Sequence, residues 1–219
     1  PSEVDLRSTL VSTPSKCSKH RTQRLDESEL TQPKWVTFRH KAFSMDKANM
    51  TPGQYASKRA KEIERINKNN RINEVGRTIQ KYFGTENPFV ATAMLGNIDV
   101  ETGGSFDFKQ KQYDGGPGIG LFQFDFHKQN YKDYLRNKKL KDSIDSQVRY
   151  VYDNIYGDQQ KFLGEGNAEK LRAVFKTDDP IAISDMFEKR FLRPNPEKAH
   201  SDRRREASRM YSLAFIPAK

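Results

Sequence analysis

The sequence predicts an α+β fold that is mostly α. A helical domain, residues 51–219, carries one small β-hairpin and is preceded by an extended N-terminal arm, residues 1–50. Three observations carry this. Apolar residues recur at helical spacing in segment after segment between Tyr55 and Phe215. A glycine-rich stretch, Asp114-Gly-Gly-Pro-Gly118, separates an alternating run from an apolar return, which is a hairpin pattern. Before residue 51, apolar residues stand singly among Ser, Thr, Lys and Arg with no sustained period.

In the arm, Pro14 and Pro33 punctuate a basic stretch that runs from Lys16 to Arg24 and again from Lys34 to Lys47. Pro33-Lys-Trp-Val-Thr-Phe-Arg39 alternates as a short strand does. Trp35, Phe38 and Phe43 are costly to leave in water, so the arm is expected to order against a neighbouring subunit rather than stay a free tail.

The first helix starts at a capping box, Thr51 with Gln54, and Pro52 takes the first helical position. Ala56, Ala60, Ile63 and Ile66 form a narrow seam as far as Asn69-Asn70, which is expected to interrupt it. A second helix, Ile72–Phe83, places Ile72, Val75, Ile79 and Phe83 on one face and stops at Gly84. Asn87 caps the next helix, Pro88 opens it, and Val90, Ala91, Met94, Leu95 and Ile98 make its apolar stripe. Gly103 and Gly104 end it, which leaves Glu101 in the last turn, at the edge of that stripe. The helix dipole and the apolar flank both favour the neutral acid there, so its pKa should rise toward the range of a general acid. The competing reading of Glu101 is a solvated helix-end residue.

Ser105–Tyr113 alternates as a short strand, and Gly118-Ile-Gly-Leu-Phe-Gln-Phe124 returns over the helix end with Gln123. The remainder reads as helices. They cover His127–Asn137, then a segment from about Ser143 to Gly157, then Ala168–Phe175 after a loop at 157–167. A helix capped by Asp179 follows, broken by Arg193-Pro-Asn-Pro196. The last runs Ser201–Phe215 and is expected to pack through Ala207, Met210, Tyr211 and Ala214.

The chain has 219 residues, 34% hydrophobic and 31% charged, enough to bury a real core in one domain with an extension. Its net charge of +10 implies a polyanionic partner, for which nucleic acid, teichoic acid and acidic wall peptides all qualify. No apolar run is long enough to span a bilayer, and the first residues lack the make-up of a signal peptide. The single Cys17 excludes a disulfide framework within the chain, and the four histidines are scattered, so neither a metal nor a cofactor is expected. Nucleophile elbow, P-loop and dinucleotide fingerprints are missing.

Five stretches together resemble the phage tail lysozyme family of the lysozyme-like superfamily. They are Met-Leu-Gly-Asn-Ile-Asp-Val-Glu-Thr at 94–102, Gly-Ile-Gly-Leu-Phe-Gln-Phe at 118–124, Asp145-Ser-Gln-Val148, Phe191-Leu-Arg-Pro194 and Arg205-Glu-Ala-Ser-Arg-Met-Tyr211. The resemblance spans roughly 72–215 and implies cleavage of the β-1,4 bonds of bacterial peptidoglycan by a virion-associated lysozyme or transglycosylase. In that reading Glu101 is the proton donor. Asp114 is the first choice for a second group, with Asp107 and Asp125 also within reach, and hydrolase versus transglycosylase stays open. Gln123 would bind the sugar or orient the acid. Tyr113, Phe122, Phe124 and Tyr152 are the aromatic candidates for the groove floor, core packing being their other reading. Arg193 is read as structural or substrate-facing.

The protein would ride in a phage virion, in the tail or inside the particle, and act in the host cell envelope. It would be joined to other virion proteins through residues 1–50, with no sequence-specific nucleic acid as partner. Two alternatives from other classes are an inactive structural virion protein with a lysozyme-like fold and a basic nucleic-acid-binding internal virion protein.

Overall fold

In the computed structural model, which describes residues 51–112 and 115–216, the chain enters its first helix through a reciprocal cap. Thr51 Oγ1 accepts from the Gln54 N–H at 3.3 Å and Gln54 Oε1 accepts from the Thr51 N–H at 3.0 Å. Two donors that a helix start leaves open are thereby satisfied. Helix α1, Pro52–Phe83, then runs for 32 residues, about 48 Å at helical rise. The interruption expected at Asn69-Asn70 does not occur. Two asparagines cost a helix at most about 1.4 kcal/mol. Beyond them Ile72, Val75 and Ile79 are buried in the core, and Arg71 Nε donates to Ser105 O at 2.7 Å. Packing of the second half therefore outweighs the weak propensity at the join.

Gly84, at φ 89°, ends α1, and Asn87 caps α2, Pro88–Glu101, by accepting from the Phe89 N–H at 3.0 Å. The Asn87 amide also donates to Phe175 O and Thr177 O, each at 2.8 Å, which ties this end to a later loop. Every residue of α2 from Val90 to Ile98 is buried, so the helix is enclosed all round rather than along one stripe. The rest of the domain packs around it.

Of the strand expected at 105–113, the described residues 105–112 form none, and no named strand occurs among the described residues. Thr102 Oγ1 accepts from the Phe106 N–H at 3.2 Å, and Phe106 takes φ 53° with its ring buried against Tyr211. Asp107 Oδ1 accepts from the Lys109 N–H at 2.9 Å. These local turns use up the backbone that a strand would pair. What remains of the hairpin is one antiparallel bridge, Lys111 with Ile119, closed by Gln112 N to Gly118 O at 3.0 Å and Gly120 N to Gln110 O at 2.8 Å.

Helices α3, Lys128–Lys138, and α4, Ile144–Ile155, follow at the expected places. The expected loop at 157–167 contains a short helix α5, Gln160–Leu163, and α6 starts early, as Glu165–Val174, with Gly164 at φ 87° between them. Asp179 caps α7, Pro180–Phe187, which continues as a π-helical turn, Glu188–Leu192, up to Arg193 at φ 48°. The last helix, α8, is Ser201–Phe215. Its packing differs from expectation. The buried residues of α8 are Arg204 and Ser208, while Met210 is 62% and Leu213 79% exposed. Among the described residues no helix is long and apolar enough to cross a membrane. The arm, residues 1–50, and with it the assembly role expected of it, lies outside the described residues.

Candidate active site

The end of α2 is shaped by its own sequence. Thr102 Oγ1 donates to Ile98 O at 2.7 Å, and Gly104 N donates to Asp99 O at 2.7 Å with Gly103 and Gly104 at φ 54° and 77°. Glycine is favoured at both positions, because the chain reverses there in left-handed backbone. Glu101 is thus fixed as the last helical residue.

Helix α8 is brought onto α2 by a close approach. A Cβ placed on Gly96 would lie 2.7 Å from Ser208 Cα, inside van der Waals contact, so only glycine allows this spacing. Ser208 Oγ donates to Ala93 O at 3.3 Å, and Ser212 Oγ lies 2.8 Å from Thr92 Oγ1. One turn before Ser208, the Arg204 side chain, 3% exposed, enters between α2 and the π-helical turn. Its Nη2 is 2.9 Å from Glu101 Oε1, its Nε donates to Glu188 Oε1 at 3.0 Å, and its Nη1 reaches Asn97 O at 3.4 Å. Ser201 Oγ also donates to Glu188 Oε1 at 3.0 Å.

Two carboxylates therefore share one buried guanidinium. The Glu101 side chain is 16% exposed, and its Oε2 has no hydrogen-bond partner among the described residues. Burial holds its pKa above the ordinary glutamate value; Arg204 pulls the other way, and the charge of Glu188 adds to the rise. The direction is the one expected from the sequence, with burial as the main cause.

Gln123 sits at φ 44°, in left-handed backbone, three residues after Gly120 at φ 79°. Its Nε2 donates to Gly120 O at 2.8 Å, and its Oε1 is buried without a partner among the described residues. A side chain at Gly118 would come within 2.9 Å of that oxygen. The hydrogen bonds of Gln123 do not reach Glu101. The whole turn is pinned instead by Gln147 of α4, whose Oε1 accepts from Leu121 N at 2.8 Å and whose Nε2 donates to Phe108 O at 2.8 Å and to Asp142 at 2.9 Å.

The aromatic candidates separate. Phe122 and Phe124, 2% and 1% exposed, are core residues, packed on Phe187 and Phe191 and on Tyr131 and Tyr150 respectively. Neither presents a face to a glycan, because Gln147 holds the turn down on the core. Tyr152 is partly exposed but packs on Phe83 and Tyr156, with Phe83 against Phe175 beside the Asn87 cap, at the opposite end of α2 from Glu101. Tyr113 and Asp114 lie outside the described residues. Asp107 and Asp125 are exposed on turns and make no contact with Glu101 among the described residues. Arg193 is structural: its guanidinium donates to Leu163 O at 2.7 Å and Arg190 O at 3.0 Å.

Three residues escape a reading from sequence. Arg204 and Glu188 complete the charge cluster. Phe126, 47% exposed, is the outer end of a ladder of rings, Phe187 on Phe191 at 5.0 Å, Phe191 on His127 at 5.1 Å and His127 on Phe126 at 4.1 Å. Its ring is exposed where those of Phe122 and Phe124 are buried. His127 within the ladder is pushed down to about 4 by burial and by Arg193, so it is a neutral packing residue at pH 7. The signal for Arg204 was the polar row Arg204, Ser208 and Ser212 at four-residue spacing, matched to Gly96 and Thr92 on α2. Among the described residues no group of three or more His, Cys, Asp or Glu is placed to hold a metal ion.

A family model described as phage tail lysozyme matches residues 84–214. It takes in Glu101, Gln123, Glu188 and Arg204, and leaves out residues 1–83 with the whole of α1. No curated protein and no solved structure matches the chain.

Proposed function

Because the chain belongs to the phage tail lysozyme family, we propose that it cleaves the β-1,4 glycosidic bonds of bacterial peptidoglycan with Glu101 as general acid. The observation that carries this reading is the unequal treatment of the two Glu101 oxygens. Oε1 faces the Arg204 N–H, which must meet a lone pair, so the proton of the neutral acid resides on Oε2. That is the oxygen without a protein partner. A proton moves from Oε2 to the glycosidic oxygen as the bond from that oxygen to the anomeric carbon breaks. Water, giving its proton to the Asp114 carboxylate, then attacks the anomeric carbon, or a hydroxyl of the substrate attacks it instead and returns its proton to Glu101. The first course yields reducing sugar ends and the second anhydro-sugar ends.

Phe126, an exposed ring, offers a face to a sugar, whereas Gln123, its side-chain oxygen buried, holds its own turn through Nε2. The protein acts from a phage virion, and residues 1–50 tether it to other virion subunits through Trp35, Phe38 and Phe43. A second reading, a lysozyme fold kept without activity, draws on the same ion pair, since a buried guanidinium between two carboxylates also serves as a clamp between helices.

Zymography on purified peptidoglycan with mass analysis of the fragments separates the two. The full chain should release muropeptides and Glu101→Gln should release none. Cleavage retained in that variant ends the assignment of Glu101, and no cleavage by either protein favours the structural reading.

A further inference from the structure

Glu188 is a buried carboxylate that the proposed reaction does not use. It lies on the π-helical turn after α7, its Oε1 takes hydrogen bonds from both Ser201 Oγ and Arg204 Nε, and the same guanidinium continues to Glu101. We propose that Glu188 is a positioning residue for Glu101, acting through Arg204: it fixes the plane of the guanidinium and shares its charge, so that Glu101 is oriented without being locked as an ion. This rests on the reading of Glu101 as the acid.

The physical argument is a matter of counting charges. One guanidinium facing one carboxylate is a neutral pair that favours the ionised, inactive form of a proton donor. With a second carboxylate on the same guanidinium the fully ionised cluster carries one excess negative charge in a buried place, and protonating one member relieves it. Glu101 is the more exposed member, its side chain 16% exposed against 8%, and it faces one donor group, whereas Glu188 Oε1 is held by two. The shift of Glu101 agrees, being raised by burial despite Arg204 and further by Glu188.

Among the described residues no further charged group acts on Glu101. From α8 only Arg204 faces Glu101, and from the π-helical turn only Glu188. Asp99, two residues earlier on α2, is engaged by Lys68 of α1 and by Tyr211 and Arg203 of α8. The described charged residues of the 102–127 segment make no contact with Glu101.

The test is Glu188→Gln in the full chain, which keeps the shape and the hydrogen-bond acceptor but removes the charge. Two quantities are followed against pH. One is the titration of the Glu101 side-chain carboxyl by carbon-13 NMR, its resonance identified by its loss in Glu101→Gln. The other is the alkaline limb of muropeptide release. Both should move to lower pH in Glu188→Gln, and by the same amount. Ser201→Ala, which removes a hydrogen bond from Glu188 but no charge, should lower stability and leave the titration in place. An unmoved Glu101 titration in Glu188→Gln overturns the proposal, and so does an equal displacement in Ser201→Ala, which would mark mere loosening. A titration that moves while the activity limb stays sustains the link between the two carboxylates and overturns the acid role of Glu101, so the two readings fail separately.

Discussion

Helices α4 and α8 both lie against the core, α4 chiefly through apolar side chains with Ser146, Gln147 and Asn154 among them, and α8 through Arg204 and Ser208. α4 buries Val148, Val151 and Ile155. It sends Asp145 outward to Lys81 at 2.6 Å. α8 buries Arg204 and Ser208 against α2, with its apolar residues Ala207, Met210, Tyr211 and Ala214 lining an open groove of about 510 Å³ beside Lys68 and Ile72 of α1. Apolar burial fixes a helix by area, which tolerates small shifts and exchanges of shape. Polar burial fixes it by direction, because a desolvated guanidinium is stable only where its partners stand. The first kind of contact builds the scaffold and the second builds the candidate site.

The strongest way to break that contrast is to remove the guanidinium. Arg204→Ala should cost about 3–5 kcal/mol in urea unfolding, since it leaves two buried carboxylates without their cation, and peptidoglycan cleavage should vanish with it. A loss as small as that of a surface arginine would mean α8 is held by something else. Gly96→Ala comes next, at about 1–3 kcal/mol, because the new methyl meets the Ser208 backbone as well as its hydroxyl, and backbone cannot rotate away. Its cleavage rate should fall as well, as Arg204 is pushed off Glu101.

On the apolar side, Ile155→Val should cost about 0.5–1.5 kcal/mol by the same unfolding assay, with an unaltered pH profile of cleavage. A displaced profile in that variant would show that α4 and α8 are not separable in function.

The smallest stability effect belongs to the residue with the largest expected effect on activity. Glu101→Gln leaves Arg204 paired one to one with Glu188, so its unfolding midpoint at neutral pH should equal or exceed that of the natural chain. The sign follows from linkage. The folded-state pKa of Glu101 is raised, so its contribution to stability is full below the unfolded value, about 4.3, and is lost as pH rises through the folded value. Melting temperatures of the two proteins should draw apart, in favour of the variant, as pH rises across that window. A variant that becomes relatively less stable with rising pH would contradict the burial of this carboxyl.

The same contrast explains what could be read from the chain beforehand. Asn87-Pro88 and Gly103-Gly104 mark both ends of α2 by local backbone chemistry, so the place of Glu101 was legible. The helices with regular apolar spacing, α4 above all, were legible for the same reason. Asn69-Asn70 misled because propensity is a local quantity and the core beneath Ile72 and Val75 is not. Phe122 and Phe124 flank a glutamine in a short glycine-rich run and read either as lining a groove or as core. Their burial depends on Gln147, more than twenty residues further on. Arg204 was hidden most thoroughly. It is one of three successive arginines at the start of a polar helix, where a solvated face is the ordinary reading, and its partner Glu101 stands about a hundred residues away.

That separation has a consequence for the order in which the molecule is made. Glu101 leaves the ribosome well before Arg204, by roughly 5–20 s at ordinary rates of synthesis. Helices α1 to α7 can gather around α2 during that interval, but the carboxyl has no cation and Gly96 no neighbour until the final helix arrives. The nascent protein is therefore a scaffold first and a candidate catalyst only when its last fifteen-residue helix closes on α2.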